Sequence, residues 1–299
     1  MSRQVVPPVI LELLNKASEY LAGKGIDTAR LDAELLLSHV LNMERIDLYV
    51  RFDQPLETAE VDAYRIAIAR RAQRMPVAYI TGSKEFYSLD LKVDRSVLIP
   101  RPETELLVEC VLNWLGEEEA PVEPNIVELG TGSGAIAVAL AHSLADQESA
   151  SPRIYATDIS QQAIDVAKTN VDNHALGNLI QLFQGDLYTA LPPALQSEVD
   201  AIVSNPPYIP SDELKGLAPE IARYEPKGAL DGGLDGLDCY RRIYFEGRKF
   251  LRPGGLVAVE IGHGQASQVM AIASESGYVD TKLYRDYGDR ERVVMARWK

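Results

Sequence analysis

The sequence predicts an α/β protein: a seven-stranded sheet wrapped by helices, ending in a reversed hairpin and preceded by a small all-helical domain. Three observations carry that prediction. After Pro121, short apolar runs of strand length alternate with helical stretches, the order of a parallel sheet with helical crossovers. The chain closes on two strand-like segments, 279–285 and 291–298, parted by the turn residues "YGD", which reads as an antiparallel edge. From Pro8 to Ile80, in contrast, apolar residues recur at helical spacing.

In chain order, Val9, Leu13, Leu14, Ala17 and Leu21 form one apolar stripe, and Leu31, Leu35, Leu36 and Val40 form a second. Gly23 and Gly25 punctuate the turn between them, Asp27 and Thr58 stand where N-caps belong, and Pro76 closes the helix that holds Val61 and Ile68. These features predict a helical bundle over residues 1–84. The stretch "FYSLDLKVD" (86–94) shifts toward period 2, which predicts a β-hairpin linker over 85–98. An acidic, proline-flanked loop, "GEEEAPVEP" (116–124), lies within the larger remainder, 99–299. Strands are expected at 126–129, 153–157, 179–183, 199–204 and 256–261, with helices starting near 134, 160 and 238.

Bulk composition narrows the function classes. A chain of 299 residues, 46% hydrophobic, can bury one large core or two smaller ones. No N-terminal segment has the basic, apolar and small-residue sequence of a secretion signal, and the apolar run "AIAVALA" (135–141) is too short to span a bilayer, so a cytoplasmic protein is expected. Cys110 and Cys239 lack CxxC spacing and His39, His142, His174 and His263 are scattered, which points to two buried free thiols and no metal site. The formal charge of −14 is opposite to a nucleic-acid footprint. The basic runs "RRAQR" (70–74) and "RRIYFEGRK" (241–249) suit solvated helix faces as well as functional patches.

Four signals fall at the carboxyl ends of the expected strands, where open α/β sheets place ligands. The first is "VELGTGSGAIAVAL", a strand, a turn with Gly130, Gly132 and Gly134, and an alanine-rich helix. It serves either as a ligand cradle or as close helix packing. Next comes Asp158 in "IYATDIS", 24 positions past Gly134, where an acid either accepts from ribose hydroxyls or caps the following helix. The third is "FQGDLY", in which Asp186 and Leu187 either meet an adenine or form a turn.

The fourth is "SNPPY" (204–208). Asn205 precedes a proline and is forced extended, while Pro206 and Pro207 fix two φ angles and contribute no N–H. The Asn205 Oδ1 and the Pro206 carbonyl then form a rigid pair of acceptors beside the face of Tyr208. That combination suits a planar ligand carrying an –NH₂ group. The alternative is a tight-turn or cis-proline connection.

Together "LGTGSGA", "SNPPY", "IPRPETE" (99–105), "LRPGG" (251–255) and "YRDYGDRERVVMARW" resemble the HemK/PrmC family, protein-(glutamine-N(5)) methyltransferases of peptide-chain release factors, over nearly the whole chain. "NPPY" alone is shared with amino-methyltransferases of adenine and guanine. "RPETE", "EPKGALDGGLDG" (225–236) and "RDYGD" narrow the resemblance. It implies a Rossmann-like methyltransferase sheet with S-adenosyl-L-methionine as cofactor and S-adenosyl-L-homocysteine as product. The methionine part would lie over Gly130, Thr131, Gly132, Ser133 and Gly134, the ribose on Asp158, and the adenine near Asp186 and Leu187. Some members carry an aromatic residue after the acid, where this chain has Leu187.

The resemblance further implies that Asn205, Pro206, Pro207 and Tyr208 hold the glutamine of a release factor's GGQ domain, with Asn205 bordering the cofactor and Asn205, Pro206 and Tyr208 catalytic. No stable nucleic-acid or membrane partner is expected. Two other classes fit parts of the chain: a nucleic-acid amino-methyltransferase, which needs a basic groove, and a non-catalytic nucleoside-binding scaffold, which has no use for the acceptor pair.

Overall fold

The computed structural model describes residues 7–116, 123–145 and 152–299, and two compact units emerge. The acidic loop expected at 116–124 lies largely outside the described residues. The first unit spans the N-terminus to Gly82 and takes in Pro219–Tyr224 from far downstream, and the second holds the remainder.

In the first unit, helices α1 (Ile10–Ala22), α2 (Ala29–Leu41), α3 (Arg45–Val50), α4 (Thr58–Ala72) and α5 (Val77–Thr81) gather around Ile10, Leu14, Leu21, Leu36, Leu37, Leu48 and Tyr64. On α2 the buried face is Ala29, Ala33, Leu36 and Leu37. Leu31 is exposed and Leu35 only half-buried, because the run Leu35–Leu37 covers three directions of a helix at once and leaves its phase open. The caps also move by one residue. Thr28 precedes α2, and Glu57 opens α4 through a reciprocal pair with Glu60, whose Oε2 accepts the Glu57 N–H at 2.7 Å. Helix α4 stops ahead of Pro76, which instead begins α5.

The second unit opens with the hairpin β1 (Ser83–Phe86) and β2 (Leu89–Lys92), turned by Tyr87 and Ser88, both at positive φ as a two-residue turn demands. Phe86, Leu89 and Leu91 are buried in the core beneath the main sheet. The hairpin therefore packs as part of the second unit, and the division falls at Gly82 and Ser83.

The sheet comprises β3 (Asn125–Leu129), β4 (Arg153–Asp158), β5 (Ile180–Gln184), β6 (Val199–Ser204), β7 (Leu251–Glu260), β8 (Val279–Arg285) and β9 (Glu291–Arg297), in the order β5-β4-β3-β6-β7-β9-β8. Strand β9 runs antiparallel between β7 and β8, so the terminal hairpin is inserted and its first strand forms the edge. Strand β7 begins at Leu251, ahead of the expected 256. The segment "RPGG" lies within the strand as a bulge, where the pairing jumps from Val199↔Leu251 to Ala201↔Leu256.

Alternate side chains bury on opposite faces. Ile126, Ile154, Ala201, Val203 and Ala258 meet α6 (Glu105–Leu115) and α7 (Ala135–Ala145). Val127, Leu129, Ile202, Val257 and Val259 meet α10 (Asp238–Gly247) and α11 (Ala266–Glu275), which follow α8 (Gln161–Asn173) and α9 (Pro219–Tyr224) in the chain. Helices α6 and α11 were not anticipated from sequence. Strand β3 pairs with both β4 and β6, so the chain reverses its direction of travel across the sheet between β3 and β6. An open α/β sheet splits into a ligand crevice at such a point.

Candidate active site

A cleft of about 530 Å³ opens at the carboxyl ends of β3, β4, β5 and β6, inside the range of about 300–1,000 Å³ typical of small-molecule sites. Its floor is the glycine turn. Gly130, Gly132 and Gly134 all sit at positive φ (71°, 56° and 80°), a backbone that side-chain-bearing residues rarely adopt. Gly134 has a second constraint: a Cβ there would stand 3.2 Å from the Cβ of Ala167 on α8. Close packing, one of the two alternatives in the sequence, is met at Gly134, while Gly130 and Gly132 line the cleft. Thr131 and Ser133 line the cleft but are buried. Thr131 donates its hydroxyl to Glu128 Oε2 at 2.7 Å, and the Ser133 carbonyl accepts from Asn170 at 2.8 Å.

Asp158 ends β4 and does not cap α8, since Ser160 does so by accepting the Ala163 N–H at 3.2 Å. Asp158 Oδ2 instead accepts the Gly132 N–H at 2.9 Å and Oδ1 the Ser160 N–H at 2.9 Å. The carboxylate is tied to the glycine turn at the cleft wall, and each oxygen keeps acceptor capacity for a ligand hydroxyl. Asp158→Ala is expected to weaken cofactor binding about 10- to 100-fold, the loss of a charged hydrogen bond. Unchanged affinity by calorimetry in a folded variant overturns that role.

Asp186 and Leu187 also line the cleft. Asp186 is half exposed and accepts from Arg242 Nη1 at 2.9 Å. Leu187 holds a left-handed backbone, φ 48°, and sparsely populated conformations of this kind collect at binding sites. Gly185 before it cannot carry a Cβ, which would run into Ala190.

Strand β6 delivers Asn205 and is anchored by Ser204, whose hydroxyl donates to the Leu129 carbonyl at 2.7 Å. The described peptide bonds are trans, so the cis-proline alternative does not arise. Asn205 Nδ2 donates to Thr104 Oγ1 at 3.1 Å, and among the described residues no donor reaches Asn205 Oδ1 or the Pro206 carbonyl.

The segment "DGGLDG", read only as part of a resemblance, has a mechanical role here. The Gly232 N–H donates to the Ile209 carbonyl and the Ile209 N–H to the Leu230 carbonyl, a Cβ on Gly232 would stand 2.8 Å from both the Pro207 carbonyl and the Tyr208 Cα, and one on Gly236 would strike the Tyr208 carbonyl. Gln265 Nε2 donates to the same Tyr208 carbonyl at 3.0 Å. The prolines stiffen the segment and the glycines allow a second backbone to clamp it.

Asn205 and Pro207 line the cleft, whereas Pro206 is buried and the half-buried Tyr208 packs toward the α10 and α11 core. Gly134 likewise lies behind the cleft wall. Sequence reading missed Glu128, Thr104 and Glu260. Cys239 also lines the cleft and is only partly buried, in contrast to Cys110, so the expectation of two buried thiols holds for one.

Two buried carboxyls flank the site. Burial pushes Glu128 up to about 8, against the pull of the Thr131 and Ala137 hydrogen bonds and with the Asp158 charge adding to the rise. Burial pushes Glu260 up to about 7; its bond from Thr104 and the nearby Arg292 oppose the rise, and Glu103 adds to it. Between the unfolded and the folded value, a carboxyl raised in this way is protonated in the fold while the unfolded chain ionises. Its stabilising share is complete below the unfolded value and is lost as pH climbs through the folded one. Glu128→Gln is therefore expected to match wild type in denaturant midpoint near pH 4.5 and to exceed it increasingly toward pH 8. A midpoint difference independent of pH contradicts the assignment.

The basic runs are largely committed internally. Arg71 pairs with Asp32 and Glu220, Arg241 with Asp235 and Asp238, and Arg242 with Asp186 and Glu246. Among the described residues, no group of three metal-ligating side chains assembles and no helix is long and apolar enough to cross a membrane.

A family model described as the PrmC N-terminal domain matches residues 12–82, and one described as the methyltransferase small domain matches residues 102–221. The chain is 43% identical over 288 residues to the release factor glutamine methyltransferase of Geobacter sulfurreducens, covering 96% of each. It is also 43% identical over 286 residues to that of Moorella thermoacetica, covering 95% of this chain and 97% of the relative. The hMettl16 catalytic domain, solved in complex with the MAT2A 3'UTR hairpin 6, shares the fold with a TM-score of 0.57 at 18% identity, covering 76% of this chain and 81% of that one.

Proposed function

Since the chain belongs to the release factor glutamine methyltransferase family, we propose that it methylates the side-chain amide nitrogen of the glutamine in the GGQ motif of peptide-chain release factors, using S-adenosylmethionine and supporting translation termination. The observation that carries this reading is Asn205 Oδ1, in the glycine-floored cleft that Asn205 lines, with the adjoining Pro206 carbonyl beside it, neither reached by a donor among the described residues.

The residues present fit the cofactor. Gly130 and Gly132 have open space where a Cβ would point, which lets a ligand approach their backbone. Asp158 offers acceptors for ribose hydroxyls, and Asp186 and Leu187 border the place for an adenine. S-adenosylmethionine, when bound, supplies an electrophilic sulfonium methyl.

The chain must improve a poor nucleophile, because an amide nitrogen shares its lone pair with the carbonyl. Asn205 Oδ1 and the Pro206 carbonyl accept the two amide hydrogens, draw electron density back to nitrogen and aim it into the cleft. They also favour the positive charge that grows on nitrogen as the N–C bond forms and the S–C bond breaks. The methylated nitrogen is then strongly acidic and gives one hydrogen to water as a proton, so no base is needed beforehand. Tyr208, packed into the core and pushed up to about 12 by burial and the neighbouring Glu260, stays neutral and supports the segment.

Residues 1–82 are the proposed source of remote contacts to the release factor, since a bare glutamine supplies too few atoms to order the reaction. The acidic balance and the internally paired arginines weigh against a nucleic-acid substrate. A cytoplasmic setting goes with this substrate. The test is mass spectrometry of a whole release factor and of a short GGQ peptide after incubation with S-adenosylmethionine. The reading expects one methyl group on the glutamine, gained far faster in the whole factor, and fails if that glutamine is never modified.

A further inference from the structure

The motif "RPETE" (101–105) forms a 3-10 turn, Pro102–Thr104, leading into α6, and its polar side chains are all engaged. Arg101 Nη2 donates to Glu225 at 2.6 Å, Glu103 stands 3.9 Å from Arg292, and Glu105 Oε1 accepts the Tyr87 N–H at 2.9 Å. Thr104 is the member that reaches the acceptor pair. It is 4% exposed, its Oγ1 donates to Glu260 Oε2 at 2.6 Å, and the same oxygen accepts from Asn205 Nδ2 at 3.1 Å.

We propose that Thr104, oriented by Glu260, is a positioning residue that fixes which way the Asn205 carboxamide faces. The inference rests on the reading of Asn205 Oδ1 as an acceptor for the substrate amide.

A carboxamide presents oxygen on one side and –NH₂ on the other in nearly the same shape, so packing alone does not choose between its two flips. A hydroxyl has one hydrogen. In its ionised form the Glu260 carboxyl, 2% exposed, can only accept; it takes that hydrogen and leaves Thr104 Oγ1 with only lone pairs to offer Asn205. Lone pairs attract Nδ2 and repel Oδ1, so the oxygen turns toward the cleft that Asn205 lines. The opposite flip would set an –NH₂ group against the substrate's own –NH₂ and lose the contact needed in the transition state. A chain of three polar side chains from the α6 turn, β6 and β7 thus carries one directional signal, from a carboxylate to the oxygen that meets the nucleophile.

The test compares Thr104→Val, Thr104→Ser and Asn205→Ala in the full-length enzyme on a whole release factor, with cofactor affinity measured by calorimetry in each. Thr104→Val keeps the shape but removes both bonds, and is expected to lower kcat about 10- to 100-fold with KM and cofactor affinity within a few-fold. Thr104→Ser restores the hydroxyl and is expected to return kcat to within a few-fold of wild type. A Thr104→Val rate near wild type while Asn205→Ala is slow overturns the positioning role. A wild-type rate in Asn205→Ala overturns the reading beneath it.

If Thr104→Val no longer binds cofactor, Glu260→Gln decides. Its side chain both donates and accepts, so it no longer dictates the direction of the Thr104 hydroxyl. A kcat lowered several-fold with intact cofactor binding supports the proposal, and a wild-type kcat overturns it.

Discussion

Asn205→Ala is expected to lower the single-turnover rate of methyl transfer about 100- to 1000-fold and to leave cofactor affinity within a few-fold. The magnitude is that of one preorganised hydrogen bond made where charge develops, in a site whose donors and acceptors need no rearrangement during the reaction. The scaffold around Asn205 is unusually constrained. Ser204 is bonded to β3, two prolines follow, and Gly232 and Gly236 admit a second backbone against Pro207 and Tyr208. Alanine leaves all of that intact and removes only the carboxamide, so a rate effect without a binding effect isolates the chemistry. A single-turnover rate near wild type would mean that the NPPY segment shapes the cleft without taking part in transfer.

The sheet was legible because parallel strands buried on both faces write continuous apolar runs. Val199–Ser204 matches its expected span, and the strands at 126, 153 and 179 shift by only a residue or so at their ends. The reversed terminal hairpin was legible from its turn residues, whereas the start of β7 was not, because the strand takes in "RPGG" as a bulge and begins at Leu251. That the glycine turn, Asp158 and Asn205 stand at one cleft was legible because each is a local feature, a strand end followed by a sharp turn. Thr104 and Glu260 were not. Thr104 lies 101 positions from Asn205 and 156 from Glu260, and single-sequence spacing carries no signal at such separations. Glu128 was hidden for another reason. In "VELG" it looks like an ordinary strand-end acid, and only its burial among Thr131 and the Ala137 N–H gives it a role in the glycine turn.

Arg71→Ala is expected to cost the N-terminal unit about 3–5 kcal/mol, the effect of leaving a buried charge without its partner. Arg71 donates from Nε to Asp32 at 2.6 Å and from Nη1 to Glu220 at 3.0 Å, with the side chains of Arg71 and Asp32 each only 7% exposed. Alanine strands the Asp32 carboxylate beside, among the described residues, a single remaining donor, the Thr28 hydroxyl, in a place water scarcely reaches. Glu220 retains Arg74 at 3.1 Å and Tyr224 still donates to the Gln73 carbonyl at 2.7 Å, so the loss centres on α2 and α4 and only loosens α9. Replacing both partners tests the cause directly. Asp32→Ala with Arg71→Ala leaves no orphaned charge and is expected to be less destabilised than the sum of the single variants. Denaturant midpoints of the two singles and the double measure this, and additive losses would show that the pair holds the unit by packing alone. Release-factor methylation supplies the functional half. If residues 1–82 read the partner, Arg71→Ala raises KM for the whole factor while kcat and cofactor affinity stay near wild type. A fall in kcat with KM unchanged would instead place the role of this unit in the chemical step.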